Sequence, residues 1–263
     1  MSVHLLTYNN LTKYADTVRH FTSTRQGGVS TGNFSSLNLG NFTDDDNLSI
    51  IKNRAILCEA VGISIEQLIN AHQTHSTNVK VIDEAFMSLS LEQRKPLLNG
   101  FDAFITNLPN VCITVTTADC VPVLLFDLRN KAVAAIHSGW KSTLNNIVGI
   151  TIDLMRKKYG TCATDLVAAV GACISKEKYE VGVELYEQFL SKGFPIQTLF
   201  YLKSNDKFLF DIRQAVHFQL RQQGVRNIEI SEYCTYTHSD LFFSARRQGV
   251  ASGRMLSGIF LKV

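Results

Sequence analysis

The chain has 263 residues, 45% hydrophobic and 19% charged, an ordinary globular composition with enough length to bury a full core. Its 26 Lys and Arg against 23 Asp and Glu leave a formal charge of +3, too mild to argue for nucleic acid and compatible with a small anionic co-substrate. No stretch approaches the length of a membrane span, and the first residues hold no basic region followed by an apolar run, so no membrane partner is expected and a cytoplasmic chain is.

In chain order, Asp45 or Asp46 can cap a helix that runs to about Val61 and closes at Gly62. Ser64 and Gln67 have capping-box spacing for a short helix behind it. Val79 and Val81 alternate around Lys80 as the start of a strand. Residues 111–116, 121–127 and 132–136 read as strands, and Leu128-Arg129-Asn130-Lys131 joins the last two as a hairpin. Leu144, Ile147, Val148, Thr151, Leu154 and Met155 recur at helical spacing, with Gly160 as the stop. A strand follows at 166–170. Asp211 and Gln214 open a further helix that ends at Gly224, and 227–231 reads as a strand. Hairpins imply antiparallel pairing, so these elements predict an α+β fold with mixed β-sheets flanked by helices in a layered arrangement. Only four prolines are present, with no linker and no short repeat, so one domain over residues 1–263 is expected.

Six cysteines in a reducing compartment should be free thiols. Cys58, Cys112, Cys162 and Cys173 lie in apolar surroundings and read as small core residues. Cys120 and Cys234 are flanked by polar residues. Cys234 is a candidate second reactive thiol, with a core or loop role equally compatible.

The chemistry concentrates in three scattered residues: His75 in Gln-Thr-His-Ser, Cys120 in Thr-Ala-Asp-Cys, and His137 in His-Ser-Gly-Trp. Two imidazoles and a thiolate suit zinc, and three protein ligands leave a position open for water or substrate. The same residues would equally serve a thiol hydrolase, with Cys120 as nucleophile and a histidine as base. His72 competes with His75. On a helix the two would share a face, whereas on a strand they would point opposite ways. Cys120 and His137 each follow a strand, and they can approach if the 121–127 strand pairs with both of its neighbours. Gly139 would allow a tight turn beside them, and Asp119 could orient a ligand. Arg25, in a glycine-containing loop that is not a Walker loop, could hold an anion. Asn38 could read a sugar hydroxyl or a base edge. Arg246 and Arg247, if on a strand, would face opposite ways, leaving one of them for function.

Several segments carry a resemblance when taken in order. They are Thr24-Arg25-Gln26-Gly27-Gly28-Val29-Ser30, Ser36-Leu37-Asn38-Leu39-Gly40, Gln73-Thr74-His75, Asp102-Ala103 and Thr117-Ala118-Asp119-Cys120-Val121-Pro122-Val123. His137-Ser138-Gly139-Trp140, Tyr179-Glu180-Val181-Gly182, Cys234-Thr235-Tyr236, Phe243-Ser244-Ala245-Arg246-Arg247 and Gly253-Arg254-Met255 complete them. Together they resemble the bacterial family labelled polyphenol oxidase or laccase-domain protein and described as purine nucleoside phosphorylases with adenosine deaminase activity. The resemblance implies zinc on His75, Cys120 and His137, and so selects His75 over His72. It implies phosphorolysis of adenosine or inosine, with methylthioadenosine a further candidate, and deamination of adenosine. Arg25 or Arg246 would position phosphate, Asn38 would hold the nucleoside, and Asp119 would be the acid or base. Copper could substitute for zinc. A multi-copper oxidase is poorly served by seven histidines and one three-ligand cluster. His-Ser-Gly-Trp stands where His-Ala-Gly-Trp is frequent, a departure that spares the ligands.

Overall fold

Central strands buried on both faces decide the architecture. The computed structural model describes residues 3–249 and 251–263. One sheet has five strands in the order β1 (Leu5–Leu6), β2 (Val18–Ser23), β14 (Met255–Leu261), β6 (Cys112–Thr117) and β3 (Leu68–Ile69). A second has six, in the order β13 (Asn227–Ile230), β9 (Leu166–Val170), β7 (Val121–Asp127), β8 (Ala132–Ser138), β5 (Ala103–Thr106) and β4 (Val79–Val81). A third holds β10 (Glu180–Gly182), β12 (Lys207–Phe210) and β11 (Phe200–Ser204). The two large sheets are mixed: β7 pairs antiparallel with β8 and β9, while β9–β13, β5–β4 and β6–β3 are parallel.

Alternate residues of the central strands feed different cores. Leu124 and Phe126 of β7 and Val133 and Ala135 of β8 face Ile113, Val115 and Ile259 of the five-stranded sheet. Val121, Val123, Leu125, Ala134 and Ile136 face the other way, toward Ile147, Ile152, Met155, Val216 and Leu220 on the helices Ile147–Tyr159 and Ile212–Gln222. The outer side of the five-stranded sheet, through Phe21, Leu256 and Phe260, packs on Leu57 and Val61 of the helix Asn47–Val61. The result is helix, sheet, sheet, helix, the layered mixed fold that the hairpin and helix signals predict.

The local signals act as expected. Asp46 accepts from Ser49 N and Gly62 closes that helix in the left-handed conformation. Ser64 and Gln67 form a capping box on a short 3-10 turn. Asp211 accepts from Gln214 N to start the helix Ile212–Gln222, and Gly160 stops the helix Ile147–Tyr159. Leu144 falls instead in the separate short helix Trp140–Leu144, because Asn146 at φ 62° breaks the register between the two.

Three expectations change. β7 does not pair with β6, which lies in the other sheet, so the residues between them cross from one sheet to the next. Arg246 and Arg247 sit on the short helix Ala245–Gln248 rather than a strand. Cys162 is exposed, whereas Cys58, Cys112 and Cys173 are buried as expected, and Cys234 is buried beside Cys173.

Candidate metal centre

The centre forms at one open end of the two-sheet sandwich. His137 is the next inward position of β8 after Val133 and Ala135, so it points between the sheets. It lies inside the strand, not beyond it. Cys120 is on the crossing from β6 to β7, and His75 is on the loop between β3 and β4. Gly139 follows β8 directly. One candidate donor each from a buried strand, a crossover and a surface loop gives a graded exposure: His137 buried, Cys120 half-buried, His75 exposed.

Their donor atoms lie within 4.8 Å of one another, and Cys120 Sγ stands 3.6 Å from His75 Nε2. Ligands at about 2.0–2.3 Å from one tetrahedral ion stand about 3.3–3.7 Å apart, so this edge is already of coordination length. Neither helix nor strand governs His72 and His75. His75 is in irregular chain and His72 makes only an isolated bridge to Asn99, its Nδ1 pairing with Asn99 Oδ1 and its ring tilted against that of Phe42. Among the described residues, the trio is the one group of His, Cys and carboxylate side chains spaced for an ion.

Asp102 organises the trio. It is fully buried at the start of β5, opposite His137, and His137 Nδ1 donates to its Oδ1 at 2.7 Å. That bond leaves His137 Nε2 for a ligand. The same carboxylate accepts from the backbone N–H of Thr74, His75 and Ser76 and from Ser76 Oγ. Three successive N–H groups around one anion hold His75 at φ 58°, a conformation a non-glycine residue adopts only when its surroundings impose it. Burial raises the Asp102 pKa, but the His137 bond and charge and the Ser76 donors outweigh it and bring the carboxyl below its usual value. The ligand-orienting carboxylate is therefore Asp102, not Asp119. Its sequence signal is a lone acid inside the otherwise apolar stretch Phe101 to Ile105.

Cys120 and His137 shift each other in opposite directions, each favouring the other's charged form. Burial alone would raise the thiol, yet His137 and then His75 lower it to about 6. Burial likewise opposes protonation of His137, but Cys120 and Asp102 raise it to about 9.

The other expected site residues divide. Asp119, at φ 99°, lines a cavity with Cys120, but its Oδ1 accepts from Thr235 Oγ1 and its Oδ2 from Arg246 N. It ties the Arg246 helix to the crossover. Arg246 lines the same cavity, with Nη1 on Glu180 O and its guanidinium over the Tyr179 ring. Arg25 lines neither cavity that contains Cys120 and instead ties the carbonyls of Ser35 and Ser239. Asn38 is fully buried, donates to Thr43 and Asp45, and accepts from the N–H of Gly40 and Arg254. Asn38 thus fixes the chain that carries Arg254. Arg254, absent from the residue-by-residue reading, lines the cavity of about 280 Å³ that contains His75, Cys120 and His137. The cavity with Arg246 is also about 280 Å³, so Cys120 forms a wall common to two chambers, each with an arginine.

The model of a family described as multi-copper polyphenol oxidoreductase laccase matches residues 19–262. The chain belongs to that family. One relative, from Bacteroides thetaiotaomicron and named purine nucleoside phosphorylase, is 41% identical, with 98% of this chain and 96% of the relative covered. Another, from an unknown prokaryotic organism and named adenosine deaminase RL5, is 34% identical over 95% of this chain and 96% of its own. The solved structure of the Bacillus licheniformis hypothetical protein YfiH matches with a TM-score of 0.91 at 25% identity, covering 98% of this chain and 96% of that one.

Two outcomes test this geometry. Gly139 has an ordinary φ of −79°, so its role is space rather than the turn expected of it: a Cβ there would stand 2.5 Å from His75 Cδ2 and 3.0 Å from Cys120 Sγ. Gly139→Ala is expected to weaken zinc binding by about tenfold or more, read by chelator competition. In metal-stripped protein, the rate of Cys120 alkylation by iodoacetamide should rise with pH around a midpoint near 6, the direction set by growth of the thiolate, and be flat through neutrality. A midpoint near the ordinary thiol value would remove the ion pair from this account.

Proposed function

We propose that this chain is a zinc-dependent purine nucleoside phosphorylase with adenosine deaminase activity, acting on adenosine and inosine and, within the same class, methylthioadenosine. The carrying observation is the His75, Cys120 and His137 cluster in a chamber with Arg254, with Cys120 shared with a second chamber that holds Arg246. The names of the relatives, purine nucleoside phosphorylase and adenosine deaminase, support a purine nucleoside substrate class. A single domain over residues 1–263 and a cytoplasmic place belong to this reading. No helix among the described residues is long and apolar enough to cross a membrane.

The donor set fits zinc: two imidazoles, one of them oriented by a buried carboxylate, and a thiol already inclined to lose its proton. Such an ion, when bound, supplies a Lewis acid for charge that develops during reaction. The chain supplies the rest. In phosphorolysis a phosphate oxygen bonds to the anomeric carbon as the bond to the base nitrogen breaks. The base leaves with the electron pair and takes up a proton. Arg254 or Arg246, one in each chamber, would hold the phosphate, because each commits only Nη1 to carbonyl or hydroxyl acceptors among the described residues. Arg25, tied to two carbonyls outside both chambers, then acts on loop conformation. In deamination a water oxygen adds at the amino-bearing carbon and ammonia departs. Asp119 positions Arg246 through the Arg246 N–H.

The thiolate and imidazolium pair of Cys120 and His137 favours a second reading, a metal-independent thiol hydrolase. Copper could occupy the same ligands, but one three-donor cluster among the described residues does not make a multi-copper centre. Purified protein incubated with adenosine, with and without phosphate, should yield adenine only with phosphate and inosine in both samples. A chelator should abolish the inosine. Intact adenosine in both samples would contradict the purine reading, and full deamination in rigorously metal-free protein would contradict the metal.

A further inference from the structure

Five buried side-chain polar atoms among the described residues have no hydrogen-bond partner, and two of them, Thr117 Oγ1 and Asn70 Nδ2, belong to residues that line the chamber holding His75, Cys120, His137 and Arg254. An unpaired buried polar group is costly, so such groups persist where something outside the chain completes them. Thr117 sharpens the point. It continues the alternation of β6 that buries Ile113 and Val115 between the sheets, and it lies at the end of the strand where the sandwich opens. Packing alone asks for another aliphatic residue there. The neighbouring threonines show the contrast, since Thr114 Oγ1 donates to Ile69 O and Thr116 Oγ1 to Gln73 Oε1. Rotation about one bond, χ1, re-aims the Thr117 hydroxyl.

Asn70 follows β3 on the neighbouring strand of the same sheet and also lines an adjoining apolar groove of about 840 Å³. Phe42 and His72 line both spaces, and Phe42 is 63% exposed with its ring 4.2 Å from that of His72. A flat aromatic ligand meets the exposed Phe42 ring here, and the two orphaned groups, which have no exposed surface of their own, reach its edge once their side chains turn toward the chamber.

We propose that Thr117 and Asn70 are specificity-determining residues that bind the polar edge of the purine base, which places the base in the chamber with Arg254. This rests on the purine nucleoside reading above. Thr117→Val keeps the shape and removes a hydroxyl with no protein partner, so the unliganded variant should melt no lower than wild type. Its KM for inosine should rise about fivefold or more, as should that of Asn70→Ala, while KM for phosphate stays within about twofold. Unchanged KM for inosine in both variants, or an equal rise for phosphate, would overturn the assignment.

A thermal-shift titration with hypoxanthine separates the two readings. If wild type turns over no purine nucleoside, the functional reading fails on its own. Stabilisation by hypoxanthine that is present in wild type and lost in Thr117→Val still supports the subsite. No stabilisation of wild type, or equal stabilisation of the variant, overturns it.

Discussion

A buried carboxylate with five donors sets the geometry of this centre. Asp102 has no exposed surface, and a bare carboxylate in that position would be strongly disfavoured. It is satisfied by the His137 ring, three consecutive backbone N–H groups and the Ser76 hydroxyl. Those donors come from β8 and from the loop before β4, so one anion brings together two chain segments about 60 residues apart in sequence that each carry a ligand. It also accounts for the left-handed backbone at His75.

The rest of the fold delivers Cys120 to that pair. Because β6 and β7 belong to different sheets, the residues joining them must cross the end of the sandwich, and Cys120 is the last of these before β7. Asp119 beside it fastens the crossing to Thr235 and to the Arg246 helix. Gly139 keeps the space between ligands free of a side chain. Rigid strands, a tied crossover and a nested loop thus hold His75, Cys120, His137 and two arginines around a pair of chambers, the kind of preorganisation that charge development in a reaction rewards.

Much of this was legible in the sequence, for local reasons. The caps at Asp46 and Asp211, the stops at Gly62 and Gly160 and the β7–β8 hairpin depend on neighbours within a few residues. The layered fold followed from them. What was hidden depends on distant partners. Sheet membership of β6 is decided by β14, more than 130 residues later, and no alternation within β6 reports it. Asp102 and Asp119 are both single acids near ligands, and only the packing shows that one orients His137 while the other fastens a helix. Asn38, an amide that could read a sugar hydroxyl or a base edge, is instead fully buried and occupied by protein groups. Arg246 was judged on the periodicity of a strand, but Ser244 caps a short helix there by accepting from Arg247 N.

The most direct measurement is the zinc affinity of Asp102→Asn beside wild type, by chelator competition, with metal stoichiometry determined on the folded fraction. The amide keeps the size but replaces one accepting oxygen by a donor facing N–H groups. This account predicts an affinity lower by about 10- to 100-fold. Wild-type affinity at full stoichiometry in Asp102→Asn would contradict the claim that this carboxylate builds the centre.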